Sequence, residues 1–218
     1  MESALINLNS TQTKKLFIYV GEKVIESKYL LTKMDSAIGD GDHGIGMSRG
    51  FSIAIENLNK QEFSSINDVF KIIGMSMISS MGGASGIIFG TLFVGGIKGM
   101  NDKELLNLPL LAEIFSKAVD AIKQRGGASL GDKTMIDALQ PAAEALVSSA
   151  AGNNSLFRGL QNAEISAKQG VENTKNYIAK FGRAKFLGER TIGYPDAGAT
   201  TVWIIFKSMR EWVEGYKK

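Results

Sequence analysis

The chain has no cysteine. Disulfides, thiolate nucleophiles and zinc–thiolate centres are therefore excluded, and a reducing compartment suits the composition. A single histidine, His43, is present, so phosphate cannot pass between two histidines of this chain. Only three prolines occur in 218 residues, which leaves long helices uninterrupted. Neither charge sign dominates: 25 Lys and Arg against 22 Asp and Glu give a formal charge of +3. The cations are scattered rather than gathered into the basic face of a nucleic-acid binder. Residues Met1–Asn7 lack the basic start and apolar run of a secretion signal, so a cytoplasmic location is expected. One long uncharged run does occur, from Ile72 to Ile97, but Gly82-Gly83-Ala84-Ser85-Gly86 interrupts it. An irregular turn in the middle of a bilayer would leave its backbone groups without partners. Two buried helices joined by a glycine loop fit this run, and no membrane span is expected.

Hydrophobic residues make up 44% of the chain, enough for one sizeable core. Strict alternation is scarce, and apolar residues recur instead at helical spacing. Leu16, Val20 and Val24 form one stripe, and Phe51, Ile55 and Leu58 another. Ser65 and Asp68 have the spacing of a capping box before Val69, Phe70, Ile73 and Met77. Pro109 suits the first turn of a helix carrying Ile114, Ala118 and Ile122 that stops at Gly126-Gly127. Pro141 is expected to kink or restart a helix through Ala142–Ala150, and Leu160 to Phe181 reads as one long helix. Thr200–Trp212 has strand propensity but the apolar spacing of a helix. These segments sum to an all-α bundle of about eight antiparallel amphipathic helices, one domain over residues 1–218.

The connections hold the chemistry. Asp35, Asp40 and Asp42 fall within eight residues, beside Gly39, Gly41 and Gly44, with no basic residue closer than Lys33 and Arg49. Carboxylates this close repel one another unless a cation sits among them. Oxygen ligands favour Mg2+ or Ca2+. An EF-hand is excluded, because Ile45 and Phe51 stand where that loop needs glycine and glutamate. Mg2+ is preferred, and three carboxylates could serve two ions that clamp a polyphosphate; the plainer reading is a polar loop between helices. Gly82–Gly86 has the form of a phosphate cradle at a helix start, without the Gly-Lys-Ser/Thr of a Walker loop, or else serves close helix packing. Gly126–Met135 is a second glycine-rich turn, in which Asp132 or Thr134 caps the next helix and Met135 joins the core or packs on a flat base. Gly182–Ala199 mixes Arg183 and Arg190 with turn residues, as a lid over an anion would. His43 is open to three roles: phosphocarrier, ligand contact or neutral packing residue.

Taken together and in this order, Asp35–Gly50, Gly82–Gly86, Gly131–Leu139 and Gly182–Ala199 resemble the ADP-binding subunits (DhaL) of bacterial dihydroxyacetone kinase over nearly the whole chain. The resemblance implies a barrel of eight helices with nucleotide and two Mg2+ ions at one end. It implies Asp35, Asp40 and Asp42 as metal ligands. It implies ADP/ATP contacts from His43, Gly44, Gly46, Ala84, Ser85, Gly127, Met135, Arg183, Asp196 and Gly198. Arg183 would also act catalytically, offsetting charge in the transition state. Two partners are implied: a K subunit that holds dihydroxyacetone, and a phosphotransferase-system donor, the M subunit. ADP would stay bound and be rephosphorylated in place. One departure is that Asp196-Ala197-Gly198-Ala199 stands where the family often has Asp-Pro-Gly-Ala. His43 also separates the chain from the related fatty-acid kinase domains, whose loop has threonine there. Remaining rivals are the equivalent subunit of a kinase for another short ketose or tetrose, a nucleotide-sensing protein that docks on a transcriptional regulator, and a calcium-binding structural domain.

Overall fold

The structure, a computed structural model, describes residues 7–216; the leaderless reading of Met1–Ile6 and the outer limits of the 1–218 domain lie outside them. Among the described residues there are nine α-helices: α1 Ser10–Glu26, α2 Lys28–Ile38, α3 His43–Asn59, α4 Ile66–Ser80, α5 Gly83–Ile97, α6 Leu108–Gly126, α7 Ile136–Ala151, α8 Leu156–Thr174 and α9 Ala197–Tyr216. Packing neighbours run α1, α3, α4, α5, α6, α7, α8, α9 and back to α1. Eight helices thus close a barrel, and α2 lies over the seam between α3 and α9. A 3-10 segment, Ala184–Thr191, and a two-residue pairing of β1 (Leu8–Asn9) with β2 (Leu105–Leu106) complete the fold.

The helices start where local chemistry dictates. Asn9 and Gln12 form a reciprocal capping box at α1. Ser65 accepts the Asp68 N–H at 3.1 Å to open α4, although its hydroxyl donates to the Asp68 carboxylate, so the box is only half of the expected kind. Asn107 caps α6, Pro109 occupies its first turn, and Gly127 ends it at φ 74°. The expected stripes are buried apart from the half-buried Ile55, and Phe17, Phe70, Phe93 and Phe51 meet edge-to-face at the centre. The uncharged run is α4 and α5 back to back. A Cβ on Gly74 would lie 2.7 Å from the Gly90 carbonyl, and one on Gly90 would lie 2.8 Å from that of Gly74. Those glycines serve close packing. No helix among the described residues is long and apolar enough to cross a membrane.

One segment left open is decided and two expectations are corrected. Thr200–Trp212 is helical, because its apolar face is buried in the barrel: Val202, Phe206, Met209 and Val213 are all enclosed. Pro141 does not restart a helix; it lies inside a continuous α7. The Asp137 carbonyl it leaves unpaired in the helix faces Gly170 of α8, where no side chain intervenes. The helix expected from Leu160 to Phe181 runs instead from Leu156 to Thr174. Ser155 caps its start, and the Thr174 carbonyl is taken by the Lys133 ammonium and by the Tyr177 N–H in a tight turn.

Closing a barrel from successive helices sends alternate connections to opposite ends. At one end Ser10 and Lys14 bond the 61–63 segment, β1 pairs with β2, and Ile66 bonds Lys103. At the other end stand all four segments marked out in the sequence.

Candidate functional site

Asp35 opens the last turn of α2, and Asp40 and Asp42 follow in the short link to α3. One carboxylate oxygen from each lies within 4.8 Å of the others. The Asp35 carboxylate also accepts the His43 N–H at 3.2 Å, which fixes it across the link. Asp42 is the N-cap of α3 but makes no capping bond, so its carboxylate faces Asp40 rather than the helix backbone. Burial raises the Asp42 pKa, and the neighbouring Asp40 and Asp35 raise it further against the pull of Arg183. Such a group gains from an added cation. Three carboxylates with no nitrogen or sulfur donor fit a hard divalent ion.

Because alternate helices start at this end, α3, α5, α7 and α9 all direct their N-termini toward it, and each carries partial positive charge. At α5 the start is bare. Gly82 has φ 73°, Gly83 has φ 63°, no side chain caps the helix, and Ala84 and Ser85 are exposed. The N–H groups of its first turn have no helical partner and are placed to bind an anion. Met81 joins this turn to α3: its side chain lies 3.6 Å from the Cβ position of Gly46.

The link 127–135 and the long connection 175–196 form the opposite wall. Gly127 is the left-handed cap of α6, Met135 is buried, and Gly198 sits over it, with the Met135 Cβ 3.4 Å from where a Gly198 Cβ would lie. Arg183, largely exposed, leans from the 175–196 segment to Asp40 at 3.2 Å. Arg190 turns back on its own segment, bonding the Leu187 carbonyl. Asp132 does not cap α7. It accepts the Ser129 N–H at 2.7 Å and pairs with Lys180 at 2.7 Å, and that pairing is the main reason its pKa is held low. Thr134 stands one residue before the N-cap Met135 and accepts the Ile136 N–H at 3.2 Å.

Several supporting residues carry no signal in the sequence. Asp137 looks like an ordinary helix residue, yet its carboxylate gathers the Gly131 and Thr134 N–H groups at 2.6 and 2.7 Å. Thr174 and Thr201 read as helix filler, but Thr174 accepts the Asp196 N–H. Thr201 donates to the Ala197 carbonyl, so it accepts from His43 Nε2 at 2.8 Å. That fixes the tautomer, with the proton on Nε2. The imidazole is buried against Phe89, and burial drives its pKa down to about 4, only partly opposed by Asp35. An imidazole so enclosed and held neutral is poorly suited to carrying phosphate. Gly44 is likewise enclosed, against the backbone of α2.

Asp196 caps α9 by accepting the Ala199 N–H at 2.7 Å. Some of the residue is exposed, but its carboxyl group is densely surrounded, and that burial pushes its pKa up to about 7. The Ala199 N–H and Lys133 oppose the shift, while Asp137 and Asp35 add to it. The unfolded chain holds this proton far less tightly. The cost of the charged carboxylate is therefore absent below about pH 4 and fully felt above pH 7. Asp196→Asn keeps a capping oxygen and removes the charge. In urea unfolding of the ligand-free protein, the variant should gain on the parent by about 1 kcal/mol between pH 6 and pH 8. His43 has the opposite pH dependence, but it is common to both proteins. Identical pH slopes would refute the assignment.

The family description "DAK2 domain" matches residues 37–211. The chain is 40% identical over 184 residues to the PEP-dependent dihydroxyacetone kinase, ADP-binding subunit DhaL, of Escherichia coli, covering 84% of this chain and 87% of that one. It is 39% identical over 189 residues to the corresponding subunit of dihydroxyacetone kinase 1 of Listeria innocua, covering 87% and 89%. The dihydroxyacetone kinase of C. freundii superposes in its native form with TM-score 0.73 at 25% identity. Its complex with AMP-PNP and Mg2+ gives 0.72 at 24%. Each covers 97% of this chain, which spans 36% of that kinase.

Proposed function

The chain belongs to the DAK2 domain family, and from that premise we propose that it is the ADP-binding subunit of a dihydroxyacetone kinase. The observation that carries this reading is the meeting of Asp35, Asp40 and Asp42 with the bare N-terminus of α5 at one barrel end. Similarity across most of both chains to named ADP-binding subunits supports it.

In this reading Asp35, Asp40 and Asp42 hold Mg2+, two ions for three carboxylates. Bound Mg2+ neutralises and orients phosphate oxygens. The N–H groups at Gly83, Ala84 and Ser85 take β- and γ-oxygens. Gly46, Gly127, Met135 and Gly198 line the nucleotide. Asp196 and His43 support the site through α9 and α3. Arg183 exchanges its Asp40 contact for phosphate and offsets charge in the transition state. His43 takes no proton and carries no phosphate, since it is enclosed and held neutral. A general base for the sugar hydroxyl comes from the partner that holds the sugar, a K subunit. The phosphoryl group comes from a phosphotransferase-system donor (the M subunit) to ADP that stays bound. The choice among short ketoses is made on the K subunit. A cytoplasmic location goes with a cysteine-free chain.

Two measurements test the reading. The purified protein should retain nucleotide and magnesium near one nucleotide per chain, and Mg2+ADP should bind it; no affinity at millimolar Mg2+ADP would end the proposal. With donor and sugar subunits added, Arg183→Ala should lower turnover by roughly 100-fold, an ordinary loss for a charge-stabilising group, while ADP affinity changes far less. Unchanged turnover would remove Arg183 from the mechanism.

A further inference from the structure

Lys133 is a buried cation in an unusual place. Only 3% of its surface is exposed, and its backbone is left-handed at φ 59°, a conformation that non-glycine residues seldom adopt. Its ammonium donates to two main-chain carbonyls, those of Thr174 and Tyr194, each at 2.5 Å. Thr174 is the last residue of α8, and Tyr194 stands two residues before the Asp196 cap of α9. These are the two ends of the connection that carries Arg183. Burial lowers the pKa of the ammonium, and the nearby carboxylates of Asp196 and Asp137 oppose that shift.

We propose that Lys133 is a positioning residue that draws both ends of the 175–194 segment onto one buried ammonium and so sets Arg183 over the aspartate cluster. Its neighbours act in the same direction. Gly193 donates to the Lys175 carbonyl at 2.7 Å, and Asp196 donates to Thr174 Oγ1 at 3.0 Å, closing the neck of the loop. Asp132, next in sequence, holds Lys180 by side chain and by backbone. The loop is therefore tied at its base to the 127–135 link rather than by its own exposed tip. At the tip the Arg183–Asp40 contact is exposed and weak by itself. A point charge with three donors can join two carbonyls from separate segments, which an apolar side chain of the same length cannot do. The strained backbone is kept because that side chain is needed there.

This inference rests on the proposed nucleotide site for its meaning, and the test separates the two. Lys133→Gly removes the ammonium and at the same time relieves the left-handed backbone, so the variant should fold. Hydrogen exchange is measured on Lys133→Gly, Lys133→Arg and the parent, without ligand. In the glycine variant, amides of residues 179–194 should exchange at least about tenfold faster while those of α4, α5 and α6 stay within twofold. Lys133→Arg should restore part of the protection. With Mg2+ADP as probe, dissociation from Lys133→Gly should be faster by a similar factor. Unchanged exchange in 179–194, or faster exchange spread evenly over the whole chain, would overturn the assignment. If the parent binds no Mg2+ADP, the nucleotide reading fails while the exchange result still decides the role of Lys133.

Discussion

Replacing Asp40 and Asp42 together by alanine is expected to lower Mg2+ADP affinity by a factor on the order of 100 or more, about 3 kcal/mol, with helical content unchanged. The expectation rests on how little else these side chains do. Asp42 starts α3 without capping it, and the partner of Asp40 is the exposed Arg183. Neither side chain contributes to the core. Together with Asp35 they hold three carboxylates within 4.8 Å, an arrangement that costs free energy until a cation joins it. The variant should therefore be slightly more stable than the parent without ligand, because the repulsion is gone. With saturating Mg2+ADP the order should reverse, since only the parent gains stability from binding. Thermal unfolding in EDTA and in Mg2+ADP measures both arms. A variant that keeps full nucleotide affinity would show that the phosphates are held elsewhere, and one that loses helicity would show that the aspartates are structural.

The aspartate cluster was legible because three like charges in a glycine-rich link have few structural uses. The barrel was legible for a similar reason: helices carry their own apolar stripes, and the cap at Ser65, the first-turn Pro109 and the stop at Gly127 act locally. The reading failed where distant residues decide. The end of α8 depends on Lys133, 41 residues away; segment 200–212 stayed open between strand propensity and helical spacing until the barrel wall decided for the helix. Thr174 and Thr201 escaped for the same reason, since their partners Asp196 and His43 lie 22 and 158 residues away, whereas the bonds of Asp137 are local and needed only the turn geometry of 131–134. The glycines were legible as a group but ambiguous one by one. Gly82 and Gly83 have left-handed backbone and open space around them, as an anion cradle needs, whereas Gly74 and Gly90 are packing contacts.

Gly44 and Gly46 make that distinction testable. A methyl group on Gly44 would overlap the Lys28 carbonyl and the Thr32 hydroxyl, and would lie 2.6 Å from the Thr32 backbone nitrogen. Backbone atoms in a packed helix cannot swing aside, so Gly44→Ala must push α3 away from α2. The expected cost is about 3 kcal/mol, the upper part of the usual range for overpacking. In a chain of this size that corresponds to a drop in melting temperature of roughly 6–12 °C. The aspartates span these two helices, Asp35 on α2 and Asp42 at the start of α3, so the same displacement opens the cluster and should take Mg2+ADP binding with it. Gly46→Ala is the counterpart. Its Cβ would meet only the flexible end of Met81 at 3.6 Å, and alanine favours a helix over glycine by up to about 1 kcal/mol. Its melting temperature should hold or rise, and any loss of ADP affinity in that variant reports contact with the nucleotide. A Gly44→Ala protein as stable as the parent would mean that α2 and α3 do not meet as closely as the structure places them.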